Sequence, residues 1–481
     1  MNKYVKNFVL SASNTIMMLI FPIITFPYVC RILGTNNLGI INFAQSYGYY
    51  FIHIANFGIA SYAIREVSKV RDDKAKVEVV ANEIFNLNFL FSLVSTFLYF
   101  CGVFFFDRFR ENFIVFSIYS VVILTNFLSL DWLLQSFDDY LFSTIRNVII
   151  RLLSLVAVFL FIKKPDDYQI YMAILCVSEM GTKISALMYC RKSYARLKIK
   201  RRFLNFKLHF KPMFTLFTFR LVNGISSNLD KIMIGFVMIY SSVGVYSAGV
   251  KFILMVQPIV ETVGIVLFPK INISANSSKE EYLKNLRINY DLILLMGIPM
   301  SIGMFLVSGR LIPLFSGDEF IDAIPVSRIM SAMILLGPIG DMLGSKTILV
   351  FKKDRWLLIS SAITAISNIF FNLVCIPIWG INGAAIASII SVVASVVSRY
   401  FFTRKLIKIR LFTKNLLKYF IFCIPFIVLY YIFRNMIDNN SVVMFVFIAV
   451  CCLIYATELL ISKDYLAKMV ISKFIKKDQH A

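Results

Sequence analysis

The chain consists mostly of apolar stretches long enough to cross a lipid bilayer, and this limits its fold more than any other feature. A hydrocarbon core takes about 20 mostly apolar residues of helix, and about fourteen such stretches can be read along the sequence. The first seven run Phe8–Cys30, Gly39–Ala60, Ile84–Phe106, Phe113–Leu134, Leu141–Ile162, Tyr168–Cys190 and Pro212–Val237. The others run Gly244–Phe268, Tyr290–Val307, Ile324–Val350, Trp356–Ile378, Ile381–Phe402, Leu416–Phe433 and Ser441–Ile461. The second and seventh carry several polar residues. Strands of a membrane barrel would be shorter and would alternate, so an all-α polytopic membrane protein is expected. With 59% hydrophobic and 16% charged residues, a soluble enzyme, a disordered chain and a fibre are excluded. The first span follows only Lys3 and Lys6 and has no small-residue cleavage site, which reads as a retained helix. The longest connection lies between Cys190 and Pro212.

The charge is lopsided, with 50 Lys+Arg against 27 Asp+Glu for a net +23. With a cytoplasmic N-terminus and alternating spans, about 36 basic residues fall in cytoplasmic segments, about 7 outside and about 7 within spans. The inside clusters are Arg65–Lys76, Arg191–Lys211, Lys352–Arg355, Arg404–Lys418 and Lys463–Lys477. Both termini are therefore expected in the cytoplasm. Most of the excess is a topology signal and a contact with anionic membrane lipids, not a nucleic-acid surface. The eight cysteines (Cys30, Cys101, Cys176, Cys190, Cys375, Cys423, Cys451, Cys452) lie in or at the ends of spans without a CxxC pair, as small buried hydrophobes do.

Two segments repeat. Arg31-Ile-Leu-Gly34-Thr-Asn-Asn-Leu-Gly39-Ile enters the second span, and Ile232-Met-Ile-Gly235 through Gly244-Val-Tyr246 enters the eighth. Aligning Gly39 with Gly244 sets an offset of 205, which also brings Arg65 against Lys270. Six spans separate the copies, so the repeat is parallel, as in transporters that rock one bundle against another. The expected organisation is an N-terminal lobe with its basic linker at 1–205, a second lobe at 206–410, and two further spans with a basic tail at 411–481.

Polar residues facing hydrocarbon are costly, so intramembrane polar stripes are expected to face a bundle interior or water. In the second span Asn42, Gln45, Ser46, Tyr49, His53 and Asn56 share one helical face. Asn7, Ser11, Asn14, Met18, Pro22 and Thr25 line up in the first, and Arg220, Asn223, Gly224, Ser227 and Lys231 in the seventh, with Asp230 beside them. Interhelical hydrogen bonding without transport is the plainer alternative. Arg220, Lys231 and Lys251 are the basic residues deepest in spans and suit an anionic group, most naturally a phosphate. Ion pairs of Lys231 and Lys251 with Asp230 or Glu261 are the competing reading. Arg151, Lys183, Arg328 and Arg399 lie nearer span ends, where long basic side chains ordinarily snorkel. Asp131, Asp230, Glu261 and Asp341 are candidates for proton or sodium coupling, unless each merely pairs with a basic neighbour. Pro22, Pro27, Pro258, Pro299, Pro338 and the Gly337/Gly340/Gly344 set interrupt spans, as bends near a site do. No zinc spacing, phosphate loop or nucleophile elbow occurs, and the three histidines (His53, His209, His480) offer little for catalysis. No metal, cofactor or enzymatic activity is expected.

These residues carry a resemblance. Phe26-Pro27-Tyr28, Arg31-Ile-Leu-Gly34, Asn56-Phe-Gly58-Ile, Tyr62-Ala-Ile-Arg65-Glu66, Leu229-Asp230-Lys231 through Gly235, Val243-Gly244-Val-Tyr246 with Lys251, and Trp379-Gly380-Ile-Asn-Gly383-Ala-Ala-Ile-Ala387 are similar to the Wzx-type polysaccharide flippases of the multidrug/oligosaccharidyl-lipid/polysaccharide exporter superfamily. The resemblance implies two six-helix lobes in a V plus two C-terminal helices in a bacterial inner membrane. It implies passage of an undecaprenyl-diphosphate-linked oligosaccharide from the cytoplasmic to the outer leaflet for O-antigen or another surface polymer. A polymerase and a chain-length regulator would be pathway partners. By position, the diphosphate falls to Arg220, Lys231 and Lys251, with Arg31 and Arg65 as gates, while Asn42, Gln45, Tyr49 and His53 would meet the sugars. The alternatives are a lipid II or teichuronic-acid-type precursor flippase, a multidrug exporter of the same superfamily, and, from another class, a membrane oligosaccharide polymerase or ligase. The absence of Asp or Glu from Phe8–Cys30 weighs against a cationic drug, and the short outer loop near Ser308–Ala323 weighs against the polymerase.

Overall fold

The computed structural model describes residues 3–200, 205–224 and 226–466, with the backbone alone for 3–20, 219, 222, 223, 226, 227, 263, 266, 276 and 438. Among them the regular structure is helical. The helices are α1 (Lys3–Asn56), α2 (Ile59–Val70), α3 (Lys74–Phe105), α4 (Asp107–Arg110), α5 (Phe113–Leu124), α6 (Asp131–Ser136), α7 (Tyr140–Phe161), α8 (Tyr168–Ser193) and α9 (Phe206–Gly224). They continue as α10 (Ser226–Val237), α11 (Tyr240–Ser277), α12 (Lys279–Ser316), α13 (Ala323–Met330), α14 (Met333–Leu343), α15 (Asp354–Arg404), α16 (Lys414–Phe422), α17 (Ile424–Asn439) and α18 (Ser441–Ile461). The chain is thus an all-α polytopic membrane protein. Among the described residues, ten helical segments are long and apolar enough to cross a bilayer.

That number understates the crossings. Asp354–Arg404 holds two expected spans, joined at Gly380, whose φ of 55° breaks the helix. The first two spans merge likewise into α1, with the break at Gly34, φ 71°. Both backbones lie in the left-handed region, where a side chain is strained and glycine is not.

The helices form two compact units that divide between Gly244 and Val245. In the first, α1 packs along α3, α5, α7 and α10. An apolar core runs from Ile59 and Tyr62 on α2 through Ile84 and Phe85 on α3 to Trp132 and Leu133 on α6. The segment after α8 is docked by two α3 amides. Asn82 donates to the Arg196 carbonyl and accepts from Lys198 N–H, and Asn86 does the same with Lys198 O and Lys200 N–H. One helical turn separates the two asparagines, so their amides serve alternate residues of an extended strand. In the second unit α12 packs against α13, α14, α16, α17 and α18, and α15 against α13 and α14.

Candidate functional site

Within the first unit the later half of α1 meets the helix pair α9–α10 and the start of α11, and glycines set the distance. A methyl group on Gly39 would stand 1.8 Å from the Tyr240 carbonyl oxygen, and one on Gly244 would stand 2.1 Å from the Thr35 carbonyl oxygen. The two contacts are related by the offset of the sequence repeat, 205, which carries Thr35 onto Tyr240 as it carries Gly39 onto Gly244. Further along, Gly235 lies against the Phe43 ring and Gly224 against the Tyr49 hydroxyl and the His53 ring. These glycines let helix backbones and aromatic rings approach where any side chain would hold them off.

The stripe on the second span divides at this contact, because the helix is flanked on two sides. Ser46, Tyr49 and His53 face α9–α10. Ser46 Oγ lies 3.5 Å from Asn228 Oδ1, which also accepts from Lys231 Nζ at 3.2 Å. The Tyr49 and His53 rings meet edge to face with centroids 4.4 Å apart. Gln45 and Asn56 point instead into an internal cavity. Asn42 spends its amide on the Leu38 carbonyl at 2.8 Å, one turn back in its own helix. The single face read from the sequence is therefore two faces.

Arg220 is exposed, and its Nη2 donates to Ser61 Oγ on α2 at 2.7 Å. Arg220, His53, Tyr49, Asn228 and Lys231 thus border the junction of α1, α2, α9 and α10, a cationic surface with sugar-compatible side chains. Other expected residues lie apart from it. Arg31 is exposed on α1, and Lys251 belongs to the second unit. Arg65 gives its Nε to Glu66 at 2.9 Å, and Lys69 reaches the same carboxylate. Partial burial pushes the Glu66 carboxyl up, but Lys69 and Arg65 outweigh it and hold it below the ordinary value. The side chains of Asn7, Ser11, Asn14, Met18, Asn223 and Ser227, and the tail beyond Leu466, lie outside what the structure describes.

The four acids separate. Asp131 pairs with Arg146 at 2.7 Å and Asp341 with Lys346 at 2.7 Å, each cation being buried. Lys346 reaches Asp341 because residues Gly344–Ile348 form a π-turn that brings the lysine round. Glu261 accepts from the Gln257 amide at 2.7 Å, and Asp230 is buried on α10.

Sequence reading missed a second polar site. A cavity of about 540 Å³ inside the first unit is lined by Gln45, Asn56, Asn126, Arg151, Glu179 and Lys183. Asn126 donates to Asn56 across it at 3.2 Å. Lys183 does not snorkel as expected. It is 7% exposed and donates to the Val122 carbonyl at 2.9 Å. α8 packs against α5, which puts Lys183 beside the Val122 carbonyl and on the wall of this cavity. Arg399 is also turned inward, donating to the Gly340 carbonyl at 2.9 Å and to Ser360. The spacing of Glu179 and Lys183, one turn apart on an apolar helix, was the available signal.

Long helices kinked at Gly34 and Gly380, with a polar cavity inside a bundle, are the features of a polytopic membrane protein with a polar interior. The family described as polysaccharide biosynthesis protein matches residues 4–274, and the chain belongs to it. It is 20% identical over 354 residues to a protein of Escherichia coli (strain K12) whose name gives it as an O-antigen transporter, covering 73% of this chain and 85% of the other. It is 26% identical over 135 residues to the teichuronic acid biosynthesis protein TuaB of Bacillus subtilis (strain 168), 26% of this chain and 27% of that one. Among solved structures it is similar to the lipid II flippase MurJ in an inward closed conformation, with a TM-score of 0.80 and 15% identity over 95% of this chain and 100% of the other.

Proposed function

We propose that the protein is a flippase that moves an undecaprenyl-diphosphate-linked oligosaccharide from the cytoplasmic to the outer leaflet of a bacterial inner membrane, by alternating access, with both termini in the cytoplasm. The observation that carries this reading is the cationic junction of α1, α2, α9 and α10, where Arg220 and Lys231 lie on the same unit as Tyr49, His53 and Asn228. A diphosphate crossing bare hydrocarbon would cost several kcal/mol or more per charge. Arg220 and Lys231 lower that cost by charge-assisted hydrogen bonds, while the polyprenyl chain stays in lipid. Tyr49 and His53 stack on and hydrogen-bond to sugar rings. Family membership and the O-antigen transporter among its relatives support the glycan cargo. The basic excess, placed by the positive-inside rule, supports the orientation. Asp131, Asp230, Glu261 and Asp341 are the candidate coupling acids for a proton or sodium ion, and Asp131 and Asp341 would have to leave their buried cations to take one up. The likeness to a teichuronic acid biosynthesis protein favours an acidic-polymer precursor as the second reading.

The test is leaflet-resolved measurement of lipid-linked glycan in a strain lacking the gene. Glycan trapped in the cytoplasmic leaflet supports the flippase. Chain-length change without trapping would instead show a polymerase.

A further inference from the structure

The second unit carries a basic pocket outside the sites described so far. It has a volume of about 1020 Å³ and lies between α12, the end of α15 and the loop leading into α16. Arg287, Arg404, Lys408, Arg410 and Lys414 line it. All five are exposed, and none forms an ion pair among the described residues. Arg404 lies near the Tyr400 ring, 5.8 Å from its centroid. Asp291, the acid one turn beyond Arg287, accepts from the Tyr465 hydroxyl at 3.1 Å and offsets part of the Arg287 charge. Five like charges in one concavity are mutually repulsive, an arrangement that favours an anion.

Its position says which anion. Three membrane-crossing helices end together here: α12 begins at Lys279, α15 finishes at Arg404 and α16 starts at Lys414. Ends of membrane-crossing helices, with basic and aromatic residues beside them, belong near lipid headgroups. The pocket is also amphipathic. Leu283 and Leu286 form part of its wall, and Phe412 stands 91% exposed at its edge. A phenyl ring left that bare beside five cations suits the boundary between headgroups and acyl chains. The first unit closes the corresponding place with its own chain, where Asn82 and Asn86 dock residues 196–200. In the second unit the loop is held by the Tyr290 hydroxyl on the Leu411 carbonyl and by Tyr400 on Ile409, and the pocket stays open.

We propose that this pocket binds the headgroup of an anionic phospholipid, with its phosphodiester against Arg287, Lys408 and Arg410 and an acyl chain along Leu283 and Phe412. Basic pockets between helix ends hold acidic headgroups in this way, and each cation near an anionic surface is worth roughly a fivefold change in affinity. A soluble phosphate shares the headgroup's chemistry but has no use for the apolar wall.

The test is thermal unfolding of the purified full chain in neutral detergent, titrated with phosphatidylglycerol, phosphatidylcholine or sodium phosphate. Phosphatidylglycerol is expected to stabilise the native chain at the lowest concentration. The R287Q/R410Q double variant should need roughly 25-fold more, and the surface variant K408Q roughly fivefold more. R191Q/K192Q, altered in a different basic segment, should respond as the native chain does. If R287Q/R410Q does not fold, K408Q decides. An equal response to phosphatidylcholine, an equal response to phosphate at the same concentration, or unchanged titrations for both pocket variants would overturn the proposal. None of these results bears on glycan transport.

Discussion

Gly39 and Gly244 meet backbone to backbone: the position of a Gly39 methyl is taken by the Tyr240 carbonyl oxygen, and that of a Gly244 methyl by the Thr35 carbonyl oxygen. The exchange is reciprocal, as a twofold relation between two copies of one motif requires. Overpacked sites lose about 1–3 kcal/mol when the neighbour can move, and a helix backbone moves little. Gly39→Ala and Gly244→Ala are therefore each expected to lower the melting temperature, with Gly39→Val worse. Unchanged melting of both alanine variants would show that α1 and the start of α11 do not pack this way.

Much of the organisation was legible from the sequence for the same physical reasons. Runs of apolar residues report the bilayer directly, so the helical membrane class follows from Phe8–Cys30 and its successors. The glycines at 39 and 244 are visible because a close crossing admits no other residue. Side-chain direction was less legible. Gln45 and Ser46 are neighbours on one polar stripe, yet one enters the cavity and the other faces Asn228. That split depends on helices distant in sequence. So does the burial of Lys183, which only the position of α5 decides.

Lys183 gives the next expectation. Its ammonium is buried, donates to the Val122 carbonyl and has Glu179 one turn away in the same cavity, and a charge in such a place is costly to desolvate. Lys183→Met keeps the volume and removes the charge. It is expected to melt at or above the native temperature while transport falls. Lower stability with full transport would make Lys183 a structural residue only.

His209 bridges two elements on the basic side of the first unit. Its Nδ1 lies 2.7 Å from the Tyr62 hydroxyl and its Nε2 3.0 Å from Glu83 Oε2. Removing it strands a buried hydroxyl and a carboxylate, at about 1–3 kcal/mol each. His209→Phe should unfold at lower denaturant, and Glu83→Gln should recover part of the loss in the double variant. Additive losses would show that the two do not interact.

Asp73 caps α3, accepting from the Ala75 and Lys76 N–H groups at 3.1 and 3.2 Å. The Lys76 backbone N–H, followed by its ammonium, holds the Asp73 carboxyl below its ordinary value. A depressed carboxyl stabilises the fold above its unfolded value and ceases to as pH falls through the folded one. Amide exchange at Ala75 and Lys76, corrected for its intrinsic pH dependence, should therefore stay slow at neutral pH and quicken in strong acid. Asp73→Asn should flatten that response, and no difference between the two chains would contradict the cap.

The central claim is that Arg220 and Lys231 carry a diphosphate-linked glycan across the membrane. It is met most directly with the purified protein in sealed liposomes loaded with undecaprenyl-diphosphate-linked oligosaccharide, scoring the glycan that becomes accessible to an impermeant oxidising enzyme. The native chain is predicted to expose inner-leaflet glycan, and the R220E/K231E variant, at equal protein and equal melting temperature, to lose at least tenfold in rate. Equal rates for the two proteins, or no exposure by the native chain, would contradict the account.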